Sequence, residues 1–532
     1  MVEVTSVGFE VFSHLLPEVI LLVGGCAVLF AGVTGAGRSA SVTPMMALVV
    51  IAAALVATLR SDGDATVVAA PGVLLTPLSH YVRLATLSIG LLLILVNWNQ
   101  PAARERGEYM SMMLFSLLGV LLTASANDWI LLFFAIELVS VPTYVLVGIS
   151  RTSPRASESA VKYFFLGAFS AAVLAYGLSF VYGAAGTTTI FSVDGGVITS
   201  NLVAAGSSTF LMIGLLFVLA GLAFKIAAVP FHGYAPDVYE GAASPITGML
   251  GFVPKLAGFV ALIKLFGALD WALPSSLNWL MWVMAAATMT VGNVLALLQT
   301  NVKRMLAYSS IAHTGYMLVA LLAGPVAGAG PMKDGVAALL FYMTVYGVMN
   351  LGAFALLSAY RVNDEPAETL DDISGLASRA PLLALGLVVC VFGLMGFPPT
   401  AGFLGKLYIF SSALSLPDGH PFHGPMLALV IIGVLNSAIA AAYYLRIAGA
   451  VYMGSPIGEG RRSPGVAARW GLAACSVAMI VLFVVPSTLT RPAGQVRVTA
   501  STMTAPRSRL VIAASDQLPS DAAASSPIQR QP

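Results

Sequence analysis

Apolar runs of membrane-crossing length recur from one end of this chain to the other, and they leave few folds open. A helix needs about 20 apolar residues to cross a bilayer. On that criterion we read fourteen spans, at approximately 15–36, 42–60, 78–98, 109–126, 128–149, 158–183, 209–234, 243–269, 277–298, 303–323, 335–360, 380–413, 425–453 and 466–488. Lipid offers the backbone no hydrogen-bond partner, so a spanning segment is a helix or belongs to a closed barrel. The runs are continuous rather than alternating, which excludes a barrel. Only 9% of the 532 residues are charged and 58% are hydrophobic, against about 25% charged in soluble domains. The expected fold is an all-α integral membrane protein.

The net charge of +2 gives no electrostatic case for nucleic acid. Cys26, Cys390 and Cys475 stand singly in apolar runs, without the spacing of a zinc or iron–sulfur site, and read as small buried hydrophobes. The opening residues, with Glu3 and Glu10, lack the positive stretch of a signal peptide. Cations gather in the loops after spans one, three, five, nine, eleven and thirteen: Arg38, Arg104, Arg106, Arg151, Arg155, Lys303, Arg304, Arg361, Arg379, Arg461 and Arg462. The opposite loops hold chiefly Arg60 and Lys333. By the positive-inside rule both termini face away from the cytoplasm. Arg491, Arg497, Arg507, Arg509 and Arg530 run against that bias, in a Ser-, Ala-, Pro- and Gln-rich tail that reads as disordered.

Two spans look broken. The seventh runs through Lys225 to Pro230, and proline both lacks an N–H and clashes with the carbonyl four residues back. The carbonyl of Ile226 is therefore expected to be free beside Lys225. The twelfth holds Gly396-Phe397-Pro398-Pro399 ahead of Lys406, which frees the carbonyls of Leu394 and Met395. Irregular backbone at membrane depth persists only inside protein or along a wet cavity. Two breaks five spans apart predict two inverted five-helix repeats, each with a pathway. The expected layout is 1–126 for spans one to four, 127–270 for the first half, 271–453 for the second, 454–488 for the last span and 489–532 for the tail.

Glu137, Lys225, Lys255 and Lys406 lie deep in these runs. A charge at the centre of a membrane helix costs roughly 2.5–3.5 kcal/mol on insertion scales and marks function by default. Amines and carboxylates in low dielectric change protonation with their neighbours' charge, which suits proton movement. Glu137 and Lys225, central in helices that run the same way, are the natural pair. Lys255 sits too deep to reach either surface. Lys264, Lys303 and Arg304 are nearer helix ends, where snorkelling is expected. His313 is either a relay between two lysines or a satisfied interior histidine. His232 follows Pro230 closely and is placed at the break. Lys162 is either a pathway mouth or a surface anchor. Ser140, Thr143, Ser309 and Thr400 are candidates to hold waters. No nucleotide-binding loop or cluster ligands appear.

Three long motifs then carry a resemblance: Phe224-Lys225-Ile226-Ala227-Ala228-Val229-Pro230-Phe231-His232 with Ala235-Pro236-Asp237-Val238-Tyr239-Glu240-Gly241-Ala242, Arg304 to His313, and Gly396 to Lys406. In this order they resemble the subunit N family of respiratory complex I, the proton-pumping NADH–quinone oxidoreductase, over about residues 15–488. Related sets are its L and M subunits, the large subunits of multisubunit cation/proton antiporters and membrane-bound hydrogenases, which stand as the alternative reading. The Pro-Asp-Val-Tyr-x-Gly-Ala form and Lys406 favour N. The resemblance implies a bacterial inner-membrane subunit with Glu137 and Lys225 coupled, Lys255 as switch, His313 as connector and Lys406 as the second gate, with Pro230, His232, Pro398, Pro399 and Lys162 in support. It implies no cofactor in this chain. FMN, iron–sulfur clusters and quinone belong to partner subunits, with M- and K-type subunits as neighbours. In that scheme, displacing a charge near Glu137 makes Lys225 release its proton towards Lys255, His313 and Lys406. Two departures from the family pattern are Pro254, expected to bend the helix of Lys255, and Gly233-Tyr234 in place of a bulky pair.

Overall fold

A computed structural model describes residues 13–34, 41–61, 67–100, 105–194, 197–204, 208–326, 328–363, 365–462, 466–499 and 510–512. Arg38, Arg104, Arg507, Arg509, Arg530 and most of the expected tail lie outside those residues.

The principal helices are α1 (Leu16–Val33), α2 (Val42–Arg60), α3 (Pro77–Asn97), α4 (Arg106–Ser125), α5 (Trp129–Ile149), α6 (Pro154–Ala185), α7 (Thr209–Lys225), α8 (Ala235–Gly241), α9 (Ser244–Leu250), α10 (Val253–Ala268), α11 (Ser275–Leu297), α12 (Val302–Ala323), α13 (Gly335–Ala359), α14 (Pro381–Met395), α15 (Ala401–Leu414), α16 (His423–Met453), α17 (Ala467–Val484) and α18 (Ser487–Gln495). Counting α9 with α10, twelve segments among the described residues are long and apolar enough to cross a membrane, while α7, α14 and α15 are shorter apolar helices. Short strands occur in the connections, such as the hairpin Phe191–Asp194 with Val197–Ser200, and at Leu510–Ile512 beyond the last helix, which pairs with Val67–Ala70.

Capping follows the sequence. Asp128 accepts from the backbone N–H groups of Ile130 and Leu131 at the start of α5, and Asn301 accepts from that of Arg304 at the start of α12. Each satisfies donors that a helix start leaves unpaired. The centre of the molecule is α9, α10 and α13, whose side chains are buried along almost their whole length. Exposed apolar residues such as Phe30, Phe169, Leu382 and Val484 lie on the outer helices.

The predicted breaks at spans seven and twelve are present. Helix α7 stops at Lys225, and an irregular segment follows to Tyr234 before α8. Within it Ala227 has φ 55° and Val229–Pro230 is cis. Left-handed backbone at a non-glycine residue costs on the order of 1–3 kcal/mol and persists only where its surroundings impose it. Helix α14 stops at Met395, Gly396 caps it with φ 83°, and Pro398–Pro399 is cis.

Several expectations are corrected. Span eight is also interrupted, at Gly251-Phe252 between α9 and α10. Pro254 does not bend α10; it sits in the first turn, where its missing N–H costs nothing. The tail is ordered at its beginning: α18 covers Ser487–Gln495, and Ala493, Val496 and Val498 are buried. Small apolar residues that find a groove across α3 and α13 overrode the polar composition.

Candidate proton pathway

The C-terminal residue of α7 brings its ammonium to α5. Lys225 Nζ lies 2.8 Å from Glu137 Oε1 and 2.9 Å from Ser140 Oγ, with Tyr144 Oη at 3.4 Å. Glu137 and Ser140 are one turn apart on one face of α5, so a single amine meets both. The lysine is 4% exposed and the glutamate 18%. Thr143 Oγ1 donates to the Ser140 carbonyl at 2.6 Å and lies 3.5 Å from Tyr163 Oη.

The α7 break links this pair to the next lysine. The Ile226 carbonyl accepts from Thr314 Oγ1 at 2.8 Å, and Lys255 Nζ donates to the same Thr314 oxygen at 2.9 Å. Lys255 also donates to the Ser310 hydroxyl at 2.6 Å and carbonyl at 2.5 Å. Ser310 Oγ accepts from Tyr346 Oη at 2.7 Å. Residues 310, 313 and 314 share one face of α12, so His313 lies beside this cluster. Its Nδ1 is 2.6 Å from Tyr342 Oη and its Nε2 is 3.0 Å from Tyr444 Oη. His313 is thus hydrogen-bonded at both ring nitrogens, to two tyrosines and to neither lysine, and is 2% exposed.

Lys406 is held at the second break. Its Nζ donates to the Met395 carbonyl at 2.9 Å, one of the two carbonyls that the sequence frees there. The ammonium lies 5.0 Å from the centre of the Tyr316 ring, within cation–π range. Gly396 leaves room for the stem: a Cβ there would sit 2.9 Å from Lys406 Cδ. Thr400 closes the break by donating to the Phe397 carbonyl at 2.6 Å.

His232 lies in the irregular segment after α7, and its Nδ1 is buried without a hydrogen-bond partner among the described residues. Tyr234, one of the departures, donates to the Phe224 carbonyl at 2.9 Å and stacks between Phe224 and Tyr163, so an aromatic ring fills this corner. Lys162 pairs with Glu158 at 2.7 Å and Asp237 at 3.2 Å and lines a cleft of about 270 Å³ with Arg155, Ser159 and Glu240. Arg304 bridges Asp237 and Glu240. Against the burial of Asp237, its hydrogen bonds from Arg304 and Lys162 hold its carboxyl below the usual range.

Two lysines expected to snorkel do not. Lys264 is 7% exposed and donates to the Ala126 carbonyl at the end of α4, at 2.5 Å. Lys303 is fully buried and donates to the carbonyls of Glu240 and Ala242 and to Glu368 Oε1. Helix C-terminal carbonyls attract cations, and here they replace water. Sequence reasoning named His313 and Ser309 on α12 but passed over Ser310 and Thr314, and it missed Tyr144, Tyr342, Tyr346 and Tyr444. Their signal was available: polar side chains at helical spacing inside runs otherwise apolar.

Among the described residues no cluster of histidine, cysteine or carboxylate side chains is arranged to hold a metal. The family described as NADH:quinone oxidoreductase/Mrp antiporter, TM, matches residues 126–439. NADH-quinone oxidoreductase subunit N of Trichlorobacter lovleyi is 40% identical over 448 residues, covering 84% of this chain and 88% of that protein. Subunit N 1 of Acidiphilium cryptum is 38% identical over 498 residues, covering 90% and 96%. A chain of respiratory complex I from Thermus thermophilus matches with TM-score 0.73 and 29% identity, covering 91% of this chain and 99% of that one. A chain of the Mrp complex from Dietzia sp., at 21% identity and TM-score 0.75 over 90% and 96%, shares the fold. By the family match and these identities, the chain belongs to the antiporter-like membrane subunits of NADH–quinone oxidoreductase, in the subunit N family.

Proposed function

We propose that this chain is the N-type, proton-translocating membrane subunit of an NADH–quinone oxidoreductase. Electrons pass from NADH to quinone in partner subunits that hold FMN and iron–sulfur clusters, and this chain moves protons without a redox site of its own. M- and K-type subunits flank it in a bacterial inner membrane, with both termini on the non-cytoplasmic side.

The observation that carries the reading is a pair of clusters that meet at the α7 break: Lys225 holds Glu137, and the carbonyl of the next residue, Ile226, accepts from Thr314, which with Ser310 holds Lys255 on the face of α12 bearing His313. When a charge in a neighbouring subunit draws Glu137 away, Lys225 loses the anion that favours its charged form. Its proton passes to Lys255 through Thr314 and local water. Protonated Lys255 lies beside His313, and Lys406 receives charge in the second half.

The test is Lys225→Ala in the assembled complex reconstituted into vesicles. The reading expects assembly to persist while proton pumping and coupled quinone reduction fall together. Normal pumping by that variant would overturn it.

A further inference from the structure

Among the described residues no direct hydrogen bond joins His313 to Lys406, although the proposed function passes charge between them. A second polar cluster, unused so far, spans the gap. Asn293 on α11 and Asn436 on α16 lie at membrane depth and are 0% and 3% exposed. Neither is needed to finish a helix, because each sits inside one. A fully buried carboxamide inside a membrane helix is retained when its donors and acceptor are used, and those of Asn293 are. Its Nδ2 is 3.2 Å from Tyr316 Oη and 3.2 Å from Asn436 Oδ1, and also donates to the Met289 carbonyl at 2.9 Å. Its Oδ1 accepts from Tyr443 Oη at 3.0 Å.

These partners sit at the two ends of the gap. Tyr316 is the ring beneath the Lys406 ammonium. Tyr443 precedes Tyr444, which bonds His313 Nε2, and the two rings are 4.4 Å apart. Small residues make the meeting possible. A Cβ at Gly292 would press the Ala312 nitrogen at 2.6 Å, and one at Gly315 the Met289 nitrogen at 2.6 Å, so α11 and α12 approach backbone to backbone. That approach brings the Asn293 amide to the Tyr316 hydroxyl.

We infer that Asn293 is a positioning residue of the second half: it fixes Tyr316 under Lys406 and, through the Tyr443–Tyr444 pair of α16, ties the gate at Lys406 to the connector His313. The carboxamide itself carries no proton. It orients the hydroxyls and the water between them, so that the proton leaving His313 meets an ordered route. This inference rests on the proton-pumping reading, and its failure is distinguishable from failure of that reading.

The experiment uses the complete complex in sealed vesicles, with Asn293→Leu and Tyr443→Phe beside the controls Lys225→Ala and Lys406→Ala. Leucine conserves volume and removes every hydrogen bond of the amide. Phenylalanine removes one hydroxyl at constant ring shape, so it decides the matter if Asn293→Leu does not assemble. With both controls silent, the expected result is a roughly ten- to hundredfold fall in coupled proton pumping by the two variants, the penalty of misplacing reacting groups by about an ångström. The pH dependence of their residual rate should also change shape, which a packing defect would only scale. Variants that pump normally, or whose pH profile is a uniformly reduced copy of the parent's, overturn the inference while the pumping reading stands. Controls that pump normally overturn both.

Discussion

Gly167 on α6 offers a test of the first half that touches no charged residue. An added Cβ would meet the Tyr144 hydroxyl and lie 2.5 Å from Tyr144 Cζ and 3.0 Å from Cε1. Carbon atoms in contact lie at about 3.5–4.0 Å, so Gly167→Ala requires the ring to retreat by roughly 1 Å. The ring is hemmed in, with Tyr163 edge-on at 4.6 Å and Phe164 at 6.1 Å between centres. Overpacking of this kind costs about 1–3 kcal/mol. The hydroxyl that moves is 3.4 Å from Lys225 Nζ, so the ammonium loses one neighbour and the water order around the ion pair changes. We expect Gly167→Ala to assemble with lowered thermal resistance and to lose pumping by about ten- to a hundredfold. A double-mutant cycle identifies the cause. Tyr144→Leu removes the obstructing ring, so in that background Gly167→Ala should cost little more, giving a coupling of about 0.5–3 kcal/mol. The assays are proton uptake by reconstituted vesicles and thermal inactivation of the purified complex. Equal losses with and without the Tyr144 ring would refute the argument, because the penalty would then arise elsewhere along α6.

Glu368 Oε1 accepts from Arg151 at 2.8 Å and from Lys303 at 3.1 Å, and Lys303 is fully buried; Glu368→Gln leaves two facing cations without their anion and should destabilise by about 3 kcal/mol, read as earlier thermal inactivation, while an unchanged inactivation curve would sink the assignment. Asp334 caps α13 through the Ala337 N–H at 3.0 Å and is 1% exposed; burial pushes its carboxyl up to about 6 against the pull of those backbone N–H groups and Arg497. A raised carboxyl favours the folded state when protonated, so the native chain carries a cost that appears as pH rises from about 4 to 6 and stays above it. Asp334→Asn keeps the cap and should stabilise by up to about 3 kcal/mol at pH 8, with no gain below pH 4; equal gains at both pH values would refute the burial argument. Gly396→Ala combines left-handed backbone, about 1–2 kcal/mol for a side chain, with a Cβ 2.9 Å from Lys406 Cδ, and should displace the amine from the Met395 carbonyl; full pumping by that variant would show that the contact is dispensable.

Much of the proposed pathway was legible because membrane burial makes charge conspicuous. Glu137, Lys225, Lys255 and Lys406 stand out against apolar neighbours, and the prolines mark where carbonyls come free. The sequence even named the Met395 carbonyl that now holds Lys406. What it could not supply were partners distant along the chain. Tyr342, Tyr346 and Tyr444 read as ordinary apolar-helix residues until α13 and α16 are packed against α12. The break at Gly251-Phe252 was marked by Pro254, which opens the first turn of α10 but was read as a bend within one continuous span. Lys264 and Lys303 were misjudged for one reason: position near a helix end suggests water, yet here the end of a neighbouring helix supplies carbonyls instead.

The three lysines of the proposed relay are not equivalent in what holds them. Of these three, only Lys225 has a carboxylate within ion-pair distance among the described residues. Lys255 is held by a carbonyl and two hydroxyls, and Lys406 by a carbonyl and a ring face. Neutral dipoles favour a charged amine less than an anion does, so of the three only Lys225 is tied to an opposite charge. At about 4 Å and an effective dielectric near 20, one unit charge contributes about 4 kcal/mol to its partner. Moving the single carboxylate therefore changes the energy of one proton by several times thermal energy, and the sites beyond it carry no fixed charge to hold that proton back. A partner subunit that shifts Glu137, which is 18% exposed at the surface of α5, needs to act at one point only.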